Sequence, residues 1–231
     1  MRVVVTGGNR GIGLGLCAAY VERGDEVIAT CRRSSSELEA LGVQVIEGIE
    51  LTDSAAVARL EEVEGEIDAL IFDPAINEDA PTLAESDPAV VAHTIDVNAI
   101  GALRVVQALA PALREGGKVM LVSIGAVALN VNVPSPGHYG YRMSKAALTS
   151  FGFGIARDLR ERGIAVLLAS PGPVDTEILR RAAREGRTSY DPGEAPSAAE
   201  VGRMLRDRLD ELTLEESPLW QEDPSGTPVV I

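Results

Sequence analysis

The chain has 231 residues, of which 45% are hydrophobic and 24% charged, a composition that suits one α/β domain with a full core. Its formal net charge of −14 disfavours nucleic acid and anionic membrane as partners, although a local basic patch remains open to it. Two cysteines, Cys17 and Cys31, make no disulfide framework, and two histidines, His93 and His138, show no metal-ligand spacing.

No apolar run reaches the ~18 residues of a membrane span. Met1-Arg2 leads straight into a strand without a secretory signal, so the cytoplasm is the expected compartment. Arg2-Val3-Val4-Val5-Thr6 is a short β-branched run that reads as a buried parallel strand. Gly7-Gly8-Asn9-Arg10-Gly11-Ile12-Gly13 follows, and helical periodicity from Leu14 to Arg23 stops at Gly24. Strand, glycine turn and helix form the context that a nucleotide-phosphate loop needs. Glycines admit positive φ and close backbone approach, and a pyrophosphate there meets the amides of a helix N-terminus. The spacing G-x-x-x-G-x-G assigns Gly7, Asn9, Arg10, Gly11, Ile12 and Gly13 to such a loop. A plain strand-to-helix connection is the competing reading.

Glu26 to Cys31 is a second strand and ends at Arg32-Arg33. A carboxylate at this point would take a ribose 2′-hydroxyl, whereas guanidinium groups suit a 2′-phosphate. Arg32 and Arg33, with Arg10 nearby, therefore favour NADP over NAD, against the alternative of solvated surface arginines. Further strands are expected at Val43–Glu47, Ile67–Phe72, Lys118–Ser123, Ile164–Ala169 and Thr227–Ile231. Thr52 or Asp53 caps a helix through Val63. A helical stretch beyond Pro81 and Pro88 runs to Leu113 and stops at Gly116-Gly117. Residues 125–138 read as a loop. A long helix from Tyr141 to Arg162 closes at Gly163, and Ser197 caps a helix to about Leu212.

The polar stretch Thr176 to Pro196 suggests a mobile helical flap whose arginines Arg180, Arg181, Arg184 and Arg187 form a solvated face or meet an anionic group. Strands and helices alternate without linker or repeat. The pattern predicts one domain over residues 1–231, a Rossmann-type doubly wound parallel sheet of about seven strands in a three-layer α/β/α arrangement.

Tyr141 and Lys145 are four residues apart and so share one face of that long helix. A free phenol titrates near ~10 and a free lysine near ~10.4. An ammonium beside the phenol, with a cationic cofactor ring nearby, pulls the phenol pKa down. A phenol tuned this way gives or takes a proton at a carbonyl or alcohol oxygen. A chance pair on a surface helix is the plain alternative.

Together the loop Thr6 to Gly13 and the Tyr141/Lys145 pair resemble the short-chain dehydrogenase/reductase family. Asp96-Val97-Asn98 and Pro171-Gly172-Pro173-Val174-Asp175-Thr176 match further family motifs in the right order. Tyr139 to Leu148 and the tail Trp220 to Gly226 look most like the carbonyl-reductase/sniffer-like branch. The resemblance implies that Tyr141 is the general acid/base and that Lys145 lowers its pKa and holds the nicotinamide ribose. It implies that Asn98 anchors a proton-relay water, that Pro171, Gly172 and Val174 belong to the nicotinamide motif, and that Thr176 lies near the carboxamide or phosphates. It also implies a homodimer or homotetramer paired through the long helices.

Two motifs depart from the family. Its catalytic serine aligns without gaps on Ile124; a shift of one residue gives the role to Ser123, and Ser135 is a weaker substitute. Where the family carries Asn-Asn-Ala-Gly, this chain has Phe72-Asp73-Pro74-Ala75. An Asp73 carboxylate near cofactor phosphates would be unfavourable, and Pro74 removes an amide donor. Glu50-Leu51 replaces the usual Asp-Val and still offers an acceptor to the adenine amino group. The leading expectation is an NADP(H)-dependent oxidoreductase on a small carbonyl or alcohol. A catalytically degenerate nucleotide binder and a non-redox dehydratase, isomerase or epimerase on the same scaffold are the alternatives.

Overall fold

The computed structural model describes residues 1–231 except 79, 81, 125–136, 222, 224–226, 228, 230 and 231. Seven parallel strands form one sheet: β1 (Arg2–Thr6), β2 (Glu26–Thr30), β3 (Gln44–Ile46), β4 (Ile67–Phe72), β5 (Leu113–Val122), β6 (Ala165–Ala169) and β7 (Leu219–Trp220). Their order is β3-β2-β1-β4-β5-β6-β7. The chain reverses its direction of travel across the sheet between β1 and β4. Outside the carboxyl ends of the strands, such a switch point leaves a crevice for ligands.

The helices are α1 (Gly11–Arg23), α2 (Ser36–Glu39), α3 (Ser54–Ala58), α4 (Pro88–Ile95), α5 (Gly101–Leu109), α6 (Tyr139–Leu159), α7 (Glu177–Arg184) and α8 (Ala198–Glu211). The middles of the central strands are apolar on both faces because helices cover both. Side chains alternate between those faces. Val4, Ile28, Val119 and Val166 join the core under α5 and α6, while Val3, Val5, Val27 and Leu167 join the core under α1 and α8. Glycines bring α1 and α8 into backbone contact: a Cβ on Gly15 would lie 2.0 Å from the Ala198 carbonyl oxygen, and one on Gly202 would lie 2.4 Å from Gly15 C.

Asp53 is the N-cap of α3, with its carboxylate accepting from Ala55 N at 2.9 Å. Ser197 and Glu200 form a capping box on α8. Three expectations are corrected. Leu113 to Gly117 belong to β5 rather than to a helix end. Gly116 (φ 71) allows a bulge there, so that Ile67 pairs with Leu113 but Ala69 with Lys118. The last strand is Leu219–Trp220 rather than Thr227–Ile231, of which only Thr227 and Val229 are described, neither in a strand. Pro88–Ala112 is a helical run of 25 residues that is long and apolar enough by composition to cross a membrane. The bare sequence hid it behind the Asp96–Arg104 pair, whose side chains meet at 2.8 Å on its surface. Its other side packs Val105, Val106 and Leu109 into the core.

Candidate active site

The carboxyl ends of the strands open onto a cleft of about 700 Å³, within the ~300–1,000 Å³ common for ligand sites. One end is the glycine turn. Gly7 (φ 83) and Gly11 (φ 56) hold left-handed backbone, which glycine adopts without a steric cost. A Cβ on Gly13 would lie 2.3 Å from the Gly7 carbonyl oxygen. Arg10, at the N-cap of α1, gives no side-chain cap. Instead Asp73, just past β4, accepts the Gly13 N–H at 2.7 Å.

Asn9 Nδ2 donates to the Arg33 carbonyl at 3.1 Å, and Ser35 Oγ donates to the Asn9 carbonyl at 2.8 Å. These bonds tie the turn to the arginine segment after β2. Arg32 lies 3.6 Å from the Glu50 carboxylate, and Arg10 pairs with Glu177 of α7. Gly7, Asn9, Arg10, Gly11, Ile12, Arg32, Arg33, Glu50 and Leu51 all line the cleft, as do Pro171, Gly172, Val174 and Thr176. Gly13 lies behind this lining, on Asp73. Phe72 is fully buried in the core. Asp73, Pro74 and Ala75 line the cleft without filling it, and a Cβ on Gly7 would sit 3.0 Å from Pro74 Cγ.

At the other end, α6 begins at Tyr139, two residues earlier than expected, and brings Tyr141 and Lys145 to the same cleft. Lys145 is 2% exposed; its Nζ donates to the Val122 carbonyl at 2.6 Å and lies 5.7 Å from the Tyr141 ring centre. Burial pulls the Lys145 pKa down while Asp73 opposes it. Burial pushes the Asp73 carboxyl up, against Lys145, the Gly13 amide and Arg10. The Tyr141 phenol is pushed up to about 12, by burial first and the Asp73 charge second. This is opposite in direction to the acidified phenol read from the sequence. The reasons are burial of the phenol first and the Asp73 carboxylate second, while the downward pull relied on a cationic ring the chain does not itself supply.

Asn98 is fully buried in a π-helical stretch, Asp96–Ile100, between α4 and α5. Its Oδ1 accepts from Ile76 N at 2.8 Å, and its Nδ2 donates to the Ile76 carbonyl and to Ser144 Oγ, both at 2.9 Å. It therefore fastens the loop after β4 to α6 and makes no hydrogen bond to Lys145. The Ser123 hydroxyl is buried, 2.6 Å from Thr149 Oγ1 and 3.3 Å from the Lys145 carbonyl. It is turned into α6, and Ile124 takes the next position along the cleft. Trp220 Nε1 donates to the Ile124 carbonyl at 2.8 Å and holds this strand end. Ser135 lies outside the described residues, as does the expected loop up to residue 136.

One cluster escaped the sequence reading. His138, at the N-cap of α6 with φ 58, donates from Nε2 to the Arg187 carbonyl at 2.9 Å. A carbonyl only accepts, so Nδ1 is left to accept from Asn77 Nδ2 at 2.8 Å. Arg187 is 4% exposed and donates from Nε to Glu185 at 2.8 Å, and Arg181 donates to the Asn77 carbonyl. The segment expected as a mobile flap is thus fastened to α6 and to the β4 loop, and Arg187 and Arg181 are not a solvated face. Arg180 pairs with Asp175 at 2.6 Å. No periodicity marks Asn77 or Arg187; a buried arginine inside a polar run leaves no trace in sequence.

A parallel sheet in this order, with a glycine turn after β1 and a Tyr/Lys pair on one face of α6, defines a dinucleotide-fold dehydrogenase. The family model described as short chain dehydrogenase matches residues 1–186, and the chain belongs to that family. It is 34% identical to 1-hydroxy-2-glutathionyl-2-methyl-3-butene dehydrogenase of Rhodococcus sp. strain AD45, over 95% of each chain. Among solved structures it is similar to a carbonyl reductase from Pseudomonas aeruginosa PAO1, with 27% identity, a TM-score of 0.82, and 100% of this chain and 99% of that one covered. A short chain dehydrogenase from Burkholderia cenocepacia J2315 in complex with NADP superposes at TM-score 0.75 with 28% identity, over 98% of this chain and 93% of that one. The carbonyl-reductase resemblance read from Tyr139 to Leu148 agrees with these neighbours.

Proposed function

We propose that this chain is an NADP(H)-dependent oxidoreductase that interconverts a carbonyl and an alcohol, with Tyr141 as the general acid/base. One observation carries the reading: Tyr141 and Lys145 share a cleft with the glycine turn and with Arg32 and Arg33. The NADP complex of the Burkholderia cenocepacia relative and the carbonyl reductase from Pseudomonas aeruginosa support it. The residues present fit the cofactor. Gly7 and Gly11 line the cleft with left-handed backbone that a side chain would strain, and Arg32 and Arg33 offer guanidinium donors for a 2′-phosphate. Glu50, Leu51, Pro171, Gly172, Val174 and Thr176 line the rest of the seat.

When bound, NADP(H) supplies or accepts the hydride. The Tyr141 hydroxyl transfers the proton at the substrate oxygen, and the Lys145 ammonium stabilises its phenolate. Asn98 keeps α6 registered against the β4 loop and thereby positions both groups. Ser123, bound to Thr149, polarises the substrate oxygen only if its hydroxyl rotates. Lacking that donor slows the step by roughly 10²–10³-fold and does not abolish it. The unit is one domain over residues 1–231, in the cytoplasm, as a homo-oligomer.

The test is NADPH fluorescence, which shifts to the blue on binding, followed by reductase assays over a panel of aldehydes and ketones. NADPH binding with carbonyl turnover that Tyr141→Phe lowers by about 10²–10⁴-fold is the expected outcome. Unchanged turnover in that variant sinks the Tyr141 role. The second reading, a nucleotide binder without catalysis, is favoured by the Ser123–Thr149 bond, and it predicts NADPH binding with no turnover of any carbonyl.

A further inference from the structure

We propose that Asp73 is a positioning residue that couples the phosphate seat to the catalytic lysine, so that the chain takes up a proton when it binds NADPH. The inference rests on the reading above that the cofactor's pyrophosphate sits at the glycine turn. Asp73 Oδ2 holds the Gly13 N–H at 2.7 Å, and Gly13 is in the first turn of α1. First-turn amides are the donors that a phosphate uses at a helix N-terminus. Here a carboxylate already occupies one of them. The contact is close, since a Cβ on Gly13 would come within 3.0 Å of the same oxygen. The side chain also lines the cleft, so an anion entering the seat meets it directly.

The groups facing Asp73 come from three elements. Lys145 and Tyr141 face it from α6, Arg10 from the glycine turn and Cys17 from α1. The two cations favour the ionised carboxylate. Burial opposes it and already raises its pKa. A pyrophosphate adds negative charge at the same amides and tips the balance to the neutral acid. The neutral acid keeps one oxygen on Gly13 and turns from repelling a phosphate to donating a hydrogen bond to it. Lys145, losing its carboxylate partner at the same moment, is left with Tyr141.

The experiment is calorimetric titration of NADPH into the full chain at pH 8, in buffers of different ionisation enthalpy, with the Kd followed from pH 6 to pH 9. The expected result is uptake of close to one proton per cofactor and a Kd that rises about tenfold per pH unit above neutrality. Asp73→Asn should take up close to one proton fewer per NADPH than the parent at pH 8, with a shallower profile there. The 2′-phosphate's own ionisation near pH ~6 is common to both proteins and cancels in the comparison. Binding without proton uptake by the parent overturns the proposal, a result that does not depend on the variant folding. An equal pH slope in Asp73→Asn overturns it as well. Failure of both proteins to bind NADPH overturns the cofactor reading itself, and this inference with it.

Discussion

The two ends of the cleft are built on different principles. At the glycine turn, backbone does the work: Gly7 and Gly11 take left-handed φ, and Asn9 and Ser35 lock the turn to the Arg33 segment. Arg32 and Arg33, which reach the cleft there, stand on the surface. At the Tyr141 end, side chains are bound to one another. Lys145 is held by the Val122 carbonyl, Ser123 by Thr149, Asn98 by Ile76 and Ser144, and His138 by Asn77 and Arg187. A ligand enters the first end by filling a mould. To engage the second it must compete with bonds already made, which fits an end where geometry has to be fixed before a proton moves.

The sharpest way to break this comparison is Tyr141→Phe, which should lower turnover by about 10²–10⁴-fold while NADPH affinity stays put. A loss of affinity instead would place the phenol in the binding end. Next is Gly15→Ala in the α1–α8 contact. The new methyl would meet the Ala198 carbonyl oxygen at 2.0 Å, so the cost belongs at the upper end of the ~1–3 kcal/mol typical of overpacking. Chemical denaturation measures it, and an unchanged midpoint would show that the helices can slide apart. Arg32→Ala with Arg33→Ala should weaken NADPH by about 10–100-fold, as the loss of one or two charge-assisted hydrogen bonds implies. NADH should change far less; an equal loss removes the 2′-phosphate argument.

Asp73 offers a pH test that needs no ligand. Its pKa is raised from 3.8 to about 7, with burial the leading cause. The stability this group contributes is therefore complete below its unfolded value and is lost as pH rises through about 7. The lowered Lys145 pKa offsets part of the loss on the alkaline side. Asp73→Asn should gain thermal stability relative to the parent between pH 4 and pH 8, and a constant difference across that range would show that the carboxylate is ionised throughout. The smallest effect is expected from Arg187→Met, a few-fold rise in KM with kcat held. The segment it fastens shapes the cleft wall.

Much of the fold was legible because central parallel strands leave short runs rich in β-branched and aliphatic residues. Ile67–Phe72 is found as read, and helix stops such as Gly24 (φ 87) and Gly163 (φ 67) carry the backbone that only glycine adopts easily. The glycine turn and the Tyr141/Lys145 pair were legible for the same reason: their chemistry is written in spacing along one element. What escaped depends on contacts between distant segments. Asp73, which binds Gly13 sixty positions away, adds its charge to the burial that raises the Tyr141 pKa. The bulge at Gly116-Gly117 looked like a helix stop because both need positive φ. The Asn77–His138–Arg187 cluster joins three loops that sequence treats as unrelated.

The π-helical stretch Asp96–Ile100 has a consequence for how this chain tolerates change in length. One turn of wider winding there swings Asn98 inward while the helix beyond it stays aimed at the sheet. Deleting a single residue within it would let the run tighten into an ordinary α-helix, an apparent gain in regularity. Everything downstream would keep its face, because the wide turn already absorbs one residue more than an α-helical turn holds; Val105 and Leu109 would stay in the core, and the loss would fall on Asn98 and on its fastening of α6 to the loop after β4.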